Sequence, residues 1–93
     1  MAGKMTPKRW LAGLGDSPDA VARTLRRRGY RGMRGSFTAC PVGVGLERRF
    51  RVDVLVRPDV ICFSTGPSVR TSTAVWAFIR RFDRGDYPEL EVA

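Results

Sequence analysis

Nine side chains in this 93-residue sequence have types suited to holding a phosphate-bearing partner: Arg23, Arg26, Arg27, Tyr30, Arg31, Arg34, Trp76, Arg80 and Arg84. A guanidinium stays charged at any physiological pH and grips phosphate or carboxylate oxygens as a two-pronged fork. An aromatic ring set among such cations adds a surface on which a base can stack. Tyr30 stands between Arg28 and Arg31, and Trp76 lies one helical turn before Arg80. The chain has fifteen arginines against two lysines, no histidine, and a formal net charge of +8. A GC-rich genome writes an Arg-, Ala-, Gly- and Val-rich composition by codon bias, so position carries more weight than number. Arg31 and Arg34 extend the cluster through a glycine-rich loop where no structural role asks for them.

The same inventory removes most catalytic chemistry. Without histidine there is no Ser-His-Asp triad, no Cys-His pair and no His-ligated metal. Neither a GxSxG elbow nor a GxxxxGK[ST] phosphate loop is present, and Gly43 with Gly45 lacks the third glycine and leading strand of a dinucleotide fingerprint. Asp53, Asp83 and Asp86 have arginines nearby, so ion pairing accounts for them better than acid–base work. One enzymatic reading survives, a small histidine-free ribonuclease drawing on Arg80, Arg81, Arg84, Tyr87 and Tyr30. Their spacing carries no signature, and the leading strand usual in such toxins is missing. The expectation is therefore a non-catalytic protein with no cofactor and no metal. Cys40 and Cys62 belong to no paired ligand motif and sit among apolar neighbours, as free thiols in a reducing cytoplasm do. Lys4, Lys8 and Arg9 precede Trp10-Leu11-Ala12, but Gly13, Gly15 and Asp16 cut that run short of a signal-peptide core, and no stretch has the length of a membrane span. A cytoplasmic, membrane-free location is expected.

The elements that must position these residues follow from local pattern. Residues 1–15 show no period and read as a flexible basic arm with Trp10, Leu11 and Leu14 as docking points. Residues 16–93 read as a single α+β domain, the chain's 43% apolar content being enough for one modest core. Ser17-Pro18-Asp19 opens a helix over 18–28 that ends at Gly29. Val21, Leu25 and Arg28 share one stripe of it, while Arg23, Arg26 and Arg27 share the outer face. Residues 41–49 predict a short helix with Val42, Leu46 and Arg49 on one face, although Gly43 and Gly45 weaken it and Val42, Val44 and Leu46 also alternate as in a strand.

A hairpin over 50–65 with Pro58-Asp59 at the turn sets Val56 against Ile61, Val54 against Phe63 and Val52 against Thr65. It buries Phe50, Val52, Val54, Val56, Ile61 and Phe63 on one face, and Gly66-Pro67 breaks it. The last helix, 72–84, lays Val75, Phe78, Ile79 and Phe82 across that face. A two-stranded sheet is marginal, so the helices, or a second copy pairing through the strand edge, must complete it. The tail Asp86 to Glu91 is acidic and could fold back on the basic surface.

Cys40-Pro41, the apolar stretch and hairpin after it, and Phe82-Asp83-Arg84-Gly85-Asp86-Tyr87-Pro88-Glu89-Leu90 resemble small uncharacterised proteins of actinobacteria and their phages and mobile elements. The resemblance implies a high-GC bacterial or phage source and favours the helix at 41–49; it brings no activity with it. No RRM, KH, zinc-finger or helix-turn-helix pattern is present, and the lysine-rich start of a double-stranded RNA-binding domain's last helix is missing at Ser68 to Thr73. The reading is an α+β accessory protein that binds DNA or RNA through its arginines. A module that docks on an acidic protein, such as a mobile-element inhibitor, stands second.

Overall fold

The computed structural model describes residues 5–92. It is a small α+β domain of four helices and a three-stranded antiparallel sheet, in the order α1 (Pro7–Ala12), α2 (Pro18–Arg27), α3 (Pro41–Phe50), β1 (Val54–Val56), β2 (Val60–Phe63), β3 (Gly66–Arg70) and α4 (Thr73–Asp83), closed by a 3-10 turn at Pro88–Leu90. Three helices start as their sequences dictate. Thr6, Ser17 and Ser72 are N-caps whose hydroxyls accept the N–H groups of Arg9, Ala20 and Val75. Proline follows the cap in α1, α2 and α3, where its missing N–H costs nothing. α2 and α4 stop at Gly29 and Gly85, each with positive φ. The N–H groups of Gly29 and Tyr30 reach back to the carbonyls of Arg26 and Leu25, and those of Gly85 and Asp86 to Phe82 and Arg81.

The core is one cluster. Val21 and Leu25 of α2, Val42 and Leu46 of α3, Val54, Val56 and Ile61 of the sheet, and Val75, Phe78, Ile79 and Phe82 of α4 are all buried. The β1–β2 register pairs Val54 with Phe63 and Val56 with Ile61, as the alternation requires. α2, α3 and α4 begin and end within one residue of their expected bounds.

The flexible-arm expectation is corrected over its described part. Residues 7–12 form α1, and Trp10, Leu11 and Leu14 lie in the core. The apolar area of these three side chains is worth several kcal/mol once a cleft exists to receive it, and that outweighs the ordering of a short segment. The N-terminal part of the arm, residues 1–4, falls outside the described residues.

The hairpin is also corrected at both ends. Phe50 closes α3, and Arg51 takes a left-handed conformation (φ 56°) that turns the chain, so no Val52–Thr65 pair forms. Phe50, Val52 and Phe63 are in consequence only half-buried. Gly66-Pro67 does not end the sheet either. It opens β3, which pairs Val69 with Ile61 and Arg70 with Val60 through an irregular step near Phe63. Proline is tolerated there because β3 is an edge strand. The third strand and α1 thus supply the support that a lone hairpin lacked.

The glycines that made α3 ambiguous lie where it packs closely, and Gly45 is required there. A Cβ on Gly43 would come within 3.1 Å of the Val56 side chain, and one on Gly45 within 2.6 Å of the Trp10 ring. At Gly45 the overlap with the buried indole outweighs the roughly 1 kcal/mol that alanine adds in helix propensity, whereas at Gly43 the contact is tight and Val56 would have to give by a few tenths of an ångström.

Both cysteines are free, Cys40 buried and Cys62 half-buried. Burial pushes the Cys40 thiol up from an ordinary 9.0 to about 11, against the smaller opposing pull of the Gly43 and Val42 N–H groups. Since the folded chain holds this proton more tightly than the unfolded one, the associated stability is complete below pH 9 and is lost as pH rises toward 11. Up to roughly 3 kcal/mol is at stake. Tyr87, raised by burial and by its bond to Asp19, adds a loss of the same sign above pH 10. Melting curves between pH 8 and 11 are expected to fall steeply for the parent and less steeply for Cys40→Ala; identical slopes would refute a buried, proton-holding Cys40.

Candidate nucleic-acid interface

All fifteen arginines lie on the surface. On α2 the reason is helical geometry. Val21, Ala22, Thr24 and Leu25 face inward, and 100° per residue then swings Arg23, Arg26 and Arg27 onto the opposite, solvent side. Arg28 departs from expectation: it is exposed at the C-cap, and its guanidinium lies 5.8 Å from the Trp10 ring centre.

The turn at Gly29 directs Tyr30 onto Trp10, with ring centres 6.2 Å apart, and Arg48 from α3 lies 6.0 Å from the Tyr30 ring centre. Arg28, Trp10, Tyr30 and Arg48 therefore form a chain of cation, ring, ring and cation across three helices. Trp10 is buried and Tyr30 half-buried, so the stack anchors the cations more than it offers open rings. Arg31 follows on the exposed loop.

The two clusters named from the sequence sit on different helices. On α4, Val75, Phe78, Ile79 and Phe82 point inward and leave Trp76, Arg80 and Arg84 outside. Trp76 is 40% exposed, with the Arg80 guanidinium 4.9 Å from its ring centre.

The acidic tail does fold back. Arg34 Nε lies 3.0 Å from Glu91 Oε1, far along the chain, while Arg84 Nη2 pairs locally with Asp86 Oδ2 at 2.7 Å. These two guanidiniums already have carboxylate partners, which removes them from the open set. A third pair, Arg81 with Asp19 at 4.0 Å, ties α4 to α2. Among the described residues the other twelve arginines have no ion pair. Arg28, Arg48 and Arg57 belong with the candidates but escaped sequence reading, because their aromatic partners Trp10, Tyr30 and Phe37 are identified by folding, apart from Tyr30's closeness to Arg28 in the chain.

Of the residues considered for ribonuclease chemistry, the two tyrosines are packed into the fold, Arg81 and Arg84 are ion-paired, and Arg80 is unpaired among the described residues. Tyr87 is buried against Phe78, with ring centres 5.3 Å apart, and its hydroxyl donates to Asp19 Oδ1 at 2.8 Å. Tyr30 is committed to Trp10 and Arg48. Among the described residues no cluster of His, Cys, Asp or Glu is arranged to hold a metal ion, and no helix is long and apolar enough to cross a membrane.

Comparison with protein-family models, with curated proteins and with solved structures gives no match to this chain.

Proposed function

We propose that this chain is a non-catalytic accessory protein that binds nucleic acid through its arginine surface, with Arg23, Arg26, Arg27 and Arg31 as principal phosphate contacts and Arg28 and Arg48 as aromatic-anchored neighbours. The observation that supports this reading is the excess of exposed, unpaired guanidinium: twelve arginines without an ion pair among the described residues. So concentrated a positive charge destabilises the compact state by self-repulsion, and phosphate oxygens relieve that repulsion when they bind. The side chains of Arg28 and Arg48 are also partly pre-ordered on rings, which lowers the entropy lost on binding.

The test is a titration of the protein against duplex DNA, single-stranded DNA and structured RNA at two salt concentrations, with RNA integrity followed on the same samples. Phosphate binding weakens steeply with salt. Changing Arg23, Arg26 and Arg27 together to Gln is expected to leave the melting temperature nearly unchanged, because all three are exposed. It should lower affinity and flatten the logarithmic salt slope by up to about 0.9 per lost contact on B-DNA. Unchanged affinity for every nucleic acid would retire the α2 face. Loss of binding to an acidic protein alone would favour protein docking, and shortened RNA would restore the enzymatic reading.

A further inference from the structure

Among the described residues only two aromatic side chains are exposed, Phe37 at 56% and Trp76 at 40%, and the fold ties both to the turn between β1 and β2. On one flank, the Phe37 carbonyl accepts the N–H of Val56, the last residue of β1, and the Arg57 guanidinium lies 6.0 Å from the Phe37 ring centre. On the other flank, Thr71 donates its N–H to the Asp59 carbonyl at 3.1 Å and its hydroxyl to the Pro58 carbonyl at 2.6 Å. That anchors the start of α4, whose first turn carries Trp76 into a shallow hollow of about 190 Å³ shared with Asp59 and Arg70. Arg80 stands 4.9 Å from the indole centre.

We propose that this end of the molecule, Phe37 and Trp76 with Arg57, Arg70 and Arg80, is a stacking platform for single-stranded nucleic acid. The proposal deepens the polyanion-binding reading and rests on it. Neither ring belongs to the core cluster, so folding does not explain two large exposed aromatics. Each has a guanidinium over it, and Arg57, Arg70 and Arg80 have no ion pair among the described residues. A wholly apolar partner would bury those cations unpaired at a cost of several kcal/mol per charge. The complement to a flat ring beside an unpaired cation is a flat ring beside an anion, which is what a base and its phosphate present. In a duplex the base faces are already stacked on one another; a single strand leaves them free. Asp59 lies in the hollow and repels phosphate, so the strand's backbone runs along the arginines while a base enters beside Trp76.

The test compares a short oligothymidylate with a duplex of equal length. Both tryptophans emit, but Trp10 is buried and out of reach of an added base, so the quenchable part of the intrinsic fluorescence reports on Trp76. Stacking is expected to quench it on adding oligothymidylate but not duplex, and Trp76→Phe is expected to abolish that change. Phe37→Ala and Trp76→Ala are each expected to lower single-strand affinity on the order of tenfold, with melting temperature and duplex affinity unchanged, while Trp76→Phe keeps most of the binding. Single-strand affinity unchanged in both alanine variants would overturn the platform yet leave binding through the α2 arginines standing. Equal losses on single strand and duplex would also overturn it, since a stacking role distinguishes the two. Absence of binding to any nucleic acid at low salt would defeat this inference and the function it rests on together.

Discussion

Phe78→Ala is expected to lower stability by about 3 to 5 kcal/mol, and Phe82→Ala by a similar amount. Both side chains are fully buried, and their rings lie 6.0 Å apart at an interplanar angle of 22°. Phe78 also stacks on Tyr87, so its removal empties the space between α4 and the C-terminal segment that delivers Glu91 to Arg34. A domain of this size has a total stability of roughly 5 to 15 kcal/mol, so either truncation removes a large share of it. Urea or thermal melts of the two variants decide the matter. Midpoints equal to the parent's would mean that α4 does not bury this stripe.

Trp10→Ala should destabilise the fold by a comparable amount, about 3 to 5 kcal/mol, and here the expectation opposes the reading of residues 1–15 as an arm. An arm tolerates the change without effect. In the fold, Trp10 is 5% exposed, lies against Gly45, meets Tyr30 edgewise-tilted at 56°, and carries Arg28 over its ring. Its loss leaves a cavity lined by α1, α3 and the Tyr30 turn. Because Arg28 and Arg48 rest on this aromatic pair, the variant should also weaken nucleic-acid binding at temperatures where it is still folded. A melting midpoint that does not move would return α1 to the status of an appendage.

The basic surface divides into parts with different demands on structure. The outer face of α2 needs only the helix to exist, since any helix with Val21 and Leu25 inward puts Arg23, Arg26 and Arg27 outward. The α4 site and the Phe37 loop need the turn between β1 and β2 to hold them at one end of the molecule, through Val56, Pro58, Asp59 and Thr71. A lesion in the hairpin should therefore affect the second part more than the first.

What the sequence determined by itself was whatever depends on neighbours in the chain. Serine caps and glycine stops bounded α2 and α4, with a proline after the cap in α2, and the run from Val54 to Phe63 set a register that a one-residue slip would invert. These signals are local free energies, legible wherever the residues lie close in sequence. Tertiary structure decided the rest, because each remaining choice turns on a partner far along the chain. Trp10 reads as arm or core according to whether a cleft beside Gly45 exists, and that cleft is made by a helix more than thirty residues away. Gly43 and Gly45 look like helix breakers until Val56 and Trp10 are seen to occupy the room their missing side chains leave. Pro67 ends a central strand but suits an edge, a distinction that sheet order alone supplies. Arg34 reads like the other arginines until the tail returns Glu91 to it, because a charge is neutralised by whatever lies within a few ångströms in space, whatever its distance in sequence.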